Sequence, residues 1–519
     1  MRLGSGYIAA AFTKRIPITT PSSQKLRWLL FFALAALALL VRLPQLAQRP
    51  MHTDEAVNAY ITGQLLAGEA YHYDNVDRHG PALYALAVPL AWLAGAKDLP
   101  TLDETTLRLG PVLVGALTVL LFALIVPETG LAAALIAALL WAVAALPVFY
   151  SRYFIHETLF SATTFGFLLG GWRWLNTASL AGAALTGLTA ALLLAGKETA
   201  VLSFAGAAAA VAWWWFERRW LRNEHSGNPA PVFIRWKAVA LALGFFLVAV
   251  ALLFSWGGQN WQALADLFRA GPHTLNRAAG QGHEKPAAYY LQLIGHGWSG
   301  RAFLVLTLFG AASVAVDGWR TFRRPPRHPL ALRLCLVYAL AIGVIYSAIP
   351  YKTPWLALNL WLPWSVLAAV GAAALWRSAR FVAVRAGLVL GAASVLLATG
   401  YDTRQWVFCK LDSEKNPYAY SQPGEDLLRL QEFFSAPPRQ DAHIAVIGAD
   451  AWPLPWYLRH CPRVGYWQPG QDPGQADYYI TLPDAAEQLQ PKLPGWRPDL
   501  YGVRPGVLLV VWLPPDFQP

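Results

Sequence analysis

Apolar runs of bilayer length recur along most of this chain. The hydrocarbon core of a membrane takes about 20 mostly apolar residues in a helix, and a helix satisfies its own backbone polar groups there. Such runs predict spans at about 26–44, 107–126, 131–149, 158–175, 178–196, 199–216, 238–257, 300–318, 330–350, 355–376 and 381–400. A further apolar stretch, 81–96, is shorter and is broken by Pro81 and Pro89. After residue 400 the pattern changes. Pro, Gly, Asp and Gln rise, β-type runs appear at 443–448, 478–482 and 507–513, and helical spacing fits 425–435 and 484–490. The pattern predicts an all-α polytopic membrane protein of about eleven transmembrane helices plus an outer-surface helix, with a small C-terminal α/β domain.

The basic positions predict which way the chain runs. Lys and Arg cluster in the N-terminal tail, in 218–237, in 320–333 and in 377–385. Short loops rich in these residues face the cytoplasm. Eleven spans put all four clusters on one side, whereas a crossing at 81–96 would send the last three to the other. The stretch 81–96 is therefore expected to lie at the outer surface as an amphipathic or re-entrant helix. The expected domains are a cytoplasmic tail 1–25, a transmembrane domain 26–400 with an outer loop 45–106, and an extracytoplasmic α/β domain 401–519. Lys14, Arg15, Lys25 and Arg27 ahead of the apolar run 28–41 look like the start of a signal peptide. No small-x-small cleavage site follows, so the first helix is expected to be retained. The expected location is the plasma or inner membrane.

Composition agrees with lipid as the solvent. Of 519 residues 56% are apolar and only 14% are charged, against about a quarter charged in a soluble domain. The 24 Trp suit membrane interfaces. The formal charge of +11 sits in the loop clusters, so it is a topology signal and not a nucleic-acid surface. Cys335 falls in an apolar span, where packing accounts for it. Cys409 and Cys461 follow the last span and could pair in an oxidising compartment; their separation is open at this stage.

Chemistry is expected in the outer segments, because polar groups beside a membrane are costly and usually have a reason. The first outer loop opens Arg49-Pro-Met-His-Thr-Asp54-Glu55. The adjacent carboxylates could be helix capping, with Thr53 or Asp54 as the cap, or an acid pair in which one member is a general base. Arg78 and His79, just before Pro81, could meet a lipid phosphate or simply snorkel at the interface. Arg108 opens the second span with no sequence-local partner, and a guanidinium fork matches phosphate oxygens. Arg152 and Glu157 follow the outer end of the third span, ahead of the fourth. Lys197-Glu198, Gly282-His283-Glu284-Lys285-Pro286 and Tyr351-Lys352-Thr353-Pro354-Trp355 fall at the same face, with Lys197–Glu198 readable as an ion pair. No Gly-rich nucleotide fingerprint follows the first β-type run, where the chain reads Gly448-Ala-Asp-Ala-Trp-Pro.

Taken together, these residues resemble the GT-C superfamily of integral-membrane glycosyltransferases. The acid pair, the Arg-His-Gly-Pro-led surface helix, Arg108 and the Arg152-x4-Glu157 motif look like its protein O-mannosyltransferase and aminoarabinose transferase branch. Gly-His-Glu-Lys-Pro-Ala-Ala-Tyr-Tyr and Tyr-Lys-Thr-Pro-Trp look like a bacterial and archaeal subgroup called flippase activity-associated. The resemblance covers about 28–400. It implies transfer of a sugar from a polyprenyl-phosphate donor to a lipid, glycan or protein acceptor, by a single inverting displacement. Asp54 would be the catalytic carboxylate and Glu55 its neighbour. Arg108, Lys352, Arg78 and His79 would bind the donor phosphate. Glu157, which stands where relatives often carry Asp, would position substrate with Arg152, His283 and Lys197. No cofactor is implied; a divalent metal is possible but not indicated. The competing reading is a lipid-linked sugar flippase or its accessory subunit. Against it, the ionisable groups gather at one face and do not form a path through the bilayer.

Overall fold

Helix occupies every one of the expected spans in the computed structural model, which describes residues 21–74, 76, 78–221, 235–278, 282–320, 328–411 and 413–517. Lys14 and Arg15 of the N-terminal tail lie outside the described residues, as do the middles of two basic loops, 222–234 and 321–327. Among the described residues eight helices are long and apolar enough to cross a membrane, and the bent pair Leu131–Val143 and Ala145–Ser151 makes a ninth. The remaining two expected spans are the helices Glu157–Thr177 and Leu180–Gly196. This is a multi-pass membrane protein.

Twelve elements carry the description that follows. They are α1 (Pro21–Arg42), α2 (Thr53–Leu66), α3 (Ala82–Leu93), α4 (Glu104–Leu121), α5 (Leu131–Val143), α6 (Ala145–Ser151), α7 (Glu157–Thr177), α8 (Leu180–Gly196), α9 (Ala200–Phe216), α10 (Trp236–Phe254), α11 (Gly297–Arg320) and α12 (Leu330–Ala348). Two more complete the bundle: α13 (Ala357–Ser378) and α14 (Val382–Arg404). α13 is central and packs against α5, α7, α11 and α12. Its Trp361 stacks on Phe303 of α11 with ring centroids 3.9 Å apart. These two helices touch backbone to backbone at Gly310 and Gly371, where any side chain would meet the facing carbonyls of Leu367 and Leu306. α14 is the opposite case. Leu390, Leu396 and Leu397 are exposed along it, a face that only lipid can cover. It runs on through a π-helical turn, Gln405–Cys409, so helix extends past the limit expected at 400. Cys335 packs at the edge of the main core.

α3 has only 12 residues, a length of about 18 Å at 1.5 Å per residue, against about 30 Å of hydrocarbon. It lies against α2 and α4 with Trp92 and Leu93 exposed. A surface element and not a span is what these dimensions allow.

The C-terminal domain has a five-stranded sheet of β1 (Ile444–Ile447), β2 (Val464–Trp467), β3 (Tyr478–Thr481), β4 (Arg497–Arg504) and β5 (Val507–Leu513), in the order β2-β1-β3-β5-β4. β2, β1 and β3 are parallel, and β5 runs antiparallel to both its neighbours. The helix Asp426–Ser435 packs on β4, which makes this the expected small α/β domain. Both of its thiol candidates are free: Cys409 is exposed on the last helical turn and Cys461 is buried. The disulfide left open by the sequence is not formed.

Candidate active site

The C-terminal domain sits on one end of the helix bundle, and the polar residues of the connecting loops collect beneath it. Three contacts dock it: Tyr457 Oη donates to Met51 O (3.2 Å), Trp456 Nε1 to Glu104 (2.9 Å), and Arg459 Nε to Leu102 O (3.3 Å). Arg459 also lies over the Trp456 ring at 3.8 Å. The connecting segment reaches further in. Tyr150 Oη donates to Tyr418 O (2.8 Å), and Tyr153 bonds Gln422.

Glu55 organises the first loop. It is 0% exposed and accepts from Arg108 (2.8 and 2.9 Å), Arg49 (3.1 and 3.2 Å), Phe154 N–H (2.8 Å) and His52 N–H (3.2 Å). Burial alone would raise its pKa, but the two guanidinium groups outweigh that and hold it at about 2. Arg49 in turn lies over the Tyr153 ring at 3.3 Å. The helix cap is neither Thr53 nor Asp54. His52 caps α2 through Nδ1, which accepts from Asp54 N–H at 3.1 Å, while Glu55 closes a capping box from within the helix. Asp54 is thereby left in the first helical turn with an exposed carboxylate. No side chain among the described residues pairs with it.

Asp54 faces a cavity of about 840 Å³ that is also lined by Arg78, His79, Glu157, Lys197 and His283. The loop bearing Arg78 and His79 passes so close to α8 that Gly80 admits no side chain against Ala195 O. His156 Nε2 bonds Gly80 O at 3.1 Å; burial and the nearby cations keep this imidazole well below the usual His range, hence neutral and donating. His79 Nδ1 pairs with Glu198 at 2.9 Å, and Tyr73 Oη donates to the other oxygen of Glu198 at 2.6 Å. Burial raises the Glu198 carboxyl, but His79 and these hydrogen bonds overcome it and hold it at about 2. Lys197 does not pair with Glu198, as expected from sequence, but with buried Glu157 at 2.5 Å. His283 is carried by a strap: Glu284 and Tyr351 form a β-bridge, and Lys352 N–H donates to His283 O at 3.0 Å. His283 Nδ1 meets Tyr420 Oη at 2.5 Å. No partner for the Arg78 guanidinium is found among the described residues.

Four residues expected to touch substrate stand behind this wall. Arg108 is 1% exposed and is consumed by Glu55 and by the carbonyls of Leu46, Arg49 and Pro50. Glu55 has no lone pair to spare. Arg152 donates to the carbonyls of Arg42, Pro44 and Gln45, tying down the chain after α1. Lys352 is buried, with Nζ donating to Lys285 O at 3.2 Å and to Ile349 O. Arg108 and Glu55 are matched to each other, while Arg152 and Lys352 are engaged with backbone carbonyls inside the fold. Conversely, the sequence offered no sign of Asp450 and Trp452, which line the cavity from the C-terminal domain. Among the described residues no group of three or more His, Cys, Asp or Glu is placed to hold a metal ion.

No protein-family model and no curated protein sequence matches the chain. Solved structures do. The chain is similar to ArnT from Cupriavidus metallidurans bound to undecaprenyl phosphate, at 16% identity and a TM-score of 0.62, over 92% of this chain and 97% of that one. It is similar to the oligosaccharyltransferase AglB of Archaeoglobus fulgidus in complex with an inhibitory peptide and a dolichol-phosphate, at 12% identity and a TM-score of 0.56, over 89% and 70%. A complex of the Archaeoglobus fulgidus oligosaccharyltransferase with Zn and sulfate aligns at 13% identity and a TM-score of 0.53, over 87% and 68%. Identities this low speak for architecture alone: the chain has the fold of ArnT and of the archaeal oligosaccharyltransferase.

Proposed function

We propose that this protein is a membrane glycosyltransferase that moves a sugar from a polyprenyl-phosphate donor to an acceptor at the extracytoplasmic face. The observation that carries the reading is one cavity at a membrane end, lined by an unpaired carboxylate, Asp54, together with Arg78 and His79. Cations at the bilayer edge suit a lipid phosphate, and a lone carboxylate beside them suits a proton acceptor. The fold is shared with a structure that holds undecaprenyl phosphate. Charge supports this choice of side. Arg218, Arg219, Arg235, Lys237, Arg377, Arg380 and Arg385 lie at or near the helix ends away from the cavity, and such clusters stay in the cytoplasm.

In the proposed reaction Arg78 and His79 hold the donor phosphate, with His79 oriented by Glu198. An acceptor hydroxyl attacks the anomeric carbon from the opposite face. Its oxygen forms the new bond, the bond from the anomeric carbon to the phosphate oxygen breaks, and the electron pair leaves with the polyprenyl phosphate. Asp54 takes the acceptor proton. The nearby cations stabilise the departing phosphate, so no general acid is required. One displacement inverts the anomeric configuration. Lys197, held by Glu157, and His283 position hydroxyl groups around the sugar.

The test uses purified full-length protein with synthetic polyprenyl-phosphate sugars and an envelope extract as the source of acceptors, reading released polyprenyl phosphate by mass spectrometry. Release with an inverted product, abolished by Asp54→Asn, is expected. Donor binding without release against lipid, glycan and protein fractions would overturn the reading in favour of a flippase.

A further inference from the structure

We propose that the C-terminal domain supplies the carbohydrate-recognition wall of this cavity, and that the turn bearing Asp450 and Trp452 holds a pyranose ring of the acceptor. The inference rests on the glycosyltransferase reading and names the acceptor's chemical class. It starts from a feature that docking alone does not require. The domain is already anchored by Tyr457, Trp456 and Arg459, yet the turn that follows β1 extends past those anchors and lines the cavity. Trp452 is half-buried there, and the edge-to-face contact it makes with Tyr60 of α2, at 5.7 Å between centroids, fixes its ring. Asp450 is exposed, and one of its oxygens accepts from Trp452 N–H at 3.1 Å. The other oxygen has no partner among the described residues.

An indole face beside a carboxylate has the chemistry of a sugar subsite. The C–H face of a pyranose is apolar and faintly positive, and it lies against the negative face of an aromatic ring. Neighbouring hydroxyl groups donate to a carboxylate, which can only accept. The placement selects the acceptor over the donor. Asp450 and Trp452 share their side of the cavity with α2, which bears Asp54 and whose Tyr60 touches Trp452, whereas the groups meant for the donor phosphate come from the 78–79 loop. A ring held at this turn lies in the same cavity as the proposed base, on the side that bears it. A peptide acceptor would call instead for backbone hydrogen bonding along an extended edge.

The experiment is saturation-transfer NMR on the full-length protein in nanodiscs, with methyl glycosides of glucose, mannose and galactose as probes. Binding of undecaprenyl phosphate is measured separately. At least one glycoside should bind. Trp452→Ala should weaken it by tenfold or more, Trp452→Phe should recover part of that loss, and Asp450→Asn should weaken it several-fold. Because Asp450 is exposed, that variant will fold, and it keeps the test decisive if Trp452→Ala does not. Undecaprenyl phosphate should bind all variants equally. If no glycoside binds, or if Trp452→Ala and Asp450→Asn bind glycosides as the parent does, the inference is wrong. If Trp452→Ala instead weakens a polyprenyl-phosphate sugar but not the bare polyprenyl phosphate, the turn holds the donor's sugar and the acceptor assignment fails. A parent protein that binds glycosides but no polyprenyl phosphate would sink the donor reading while leaving the sugar subsite in place.

Discussion

Glu55 accepts from two guanidinium groups and two backbone amides, while Asp54, one residue before it, projects from the same helical turn into the cavity. The two carboxylates therefore separate on substitution. Asn keeps the shape of Asp but takes no proton at neutral pH, and His52 supplies the cap. Asp54→Asn should leave the unfolding temperature unchanged and lower transfer by about a hundredfold or more, the scale of a lost general base. Glu55→Gln should do the reverse of a clean active-site change. It strands buried Arg49 and Arg108, which costs about 3–5 kcal/mol, and thermal unfolding in detergent reads the loss. Arg108→Ala belongs with it as a folding variant. The pH dependence follows from the same pairing. The Glu55 pKa is depressed from 4.5 to about 2, so its stabilisation is complete above about pH 4.5 and drains away as pH falls towards 2. The Gln variant should lose stability less steeply than the parent over that window. A slope from Glu198, depressed to the same value, should remain.

At the scale of elements, close approach and length set the outcome. Gly80 lets the 78–79 loop lie on α8, and a methyl group there would strike Ala195 O. Gly80→Ala should displace Arg78 and His79 together. Undecaprenyl phosphate binding should fall at least tenfold, and the unfolding temperature should fall with it, because Gly80 is buried and its carbonyl is held by His156. Normal binding by that variant would remove the loop from the phosphate site. α3 gives a second test. Trp92 is exposed on this short helix, so a Trp92→Cys probe, placed in a Cys409→Ser background to silence the exposed native thiol, should react with a membrane-impermeant maleimide in intact cells. Labelling only after permeabilisation would mean that the helix enters from the other face.

For the whole molecule, the placement of the cavity relative to the membrane is what the mechanism needs. Reporter fusions after residues 227 and 326 should read as cytoplasmic, and a fusion after 440 as extracytoplasmic. A cytoplasmic reading at 440 would place the cavity on the wrong side for the proposed acceptor. The C-terminal part of the chain lines this cavity, since Tyr420 meets His283 and the Asp450–Trp452 turn forms part of one wall.

Span positions, the surface character of 81–96 and the change to an α/β domain were legible in the sequence, because lipid imposes length and hydropathy on each segment independently of its neighbours. Asp54, Arg78, His79, Glu157, Lys197 and His283 were also legible as candidates, since a charge beside a membrane stands out against an apolar background. Which charges would be used up by folding was not. Arg108 and Arg78 look alike along the chain, and only the fold brings Glu55 and three carbonyls to the first while leaving the second open. Lys197 met Glu157, 40 residues away in the chain, and left its neighbour Glu198 to His79. Pairing between loops depends on how helices pack in three dimensions. The sequence by itself therefore determined the solvent, the elements and the pool of reactive groups, and the tertiary structure decided which of them still face the cavity.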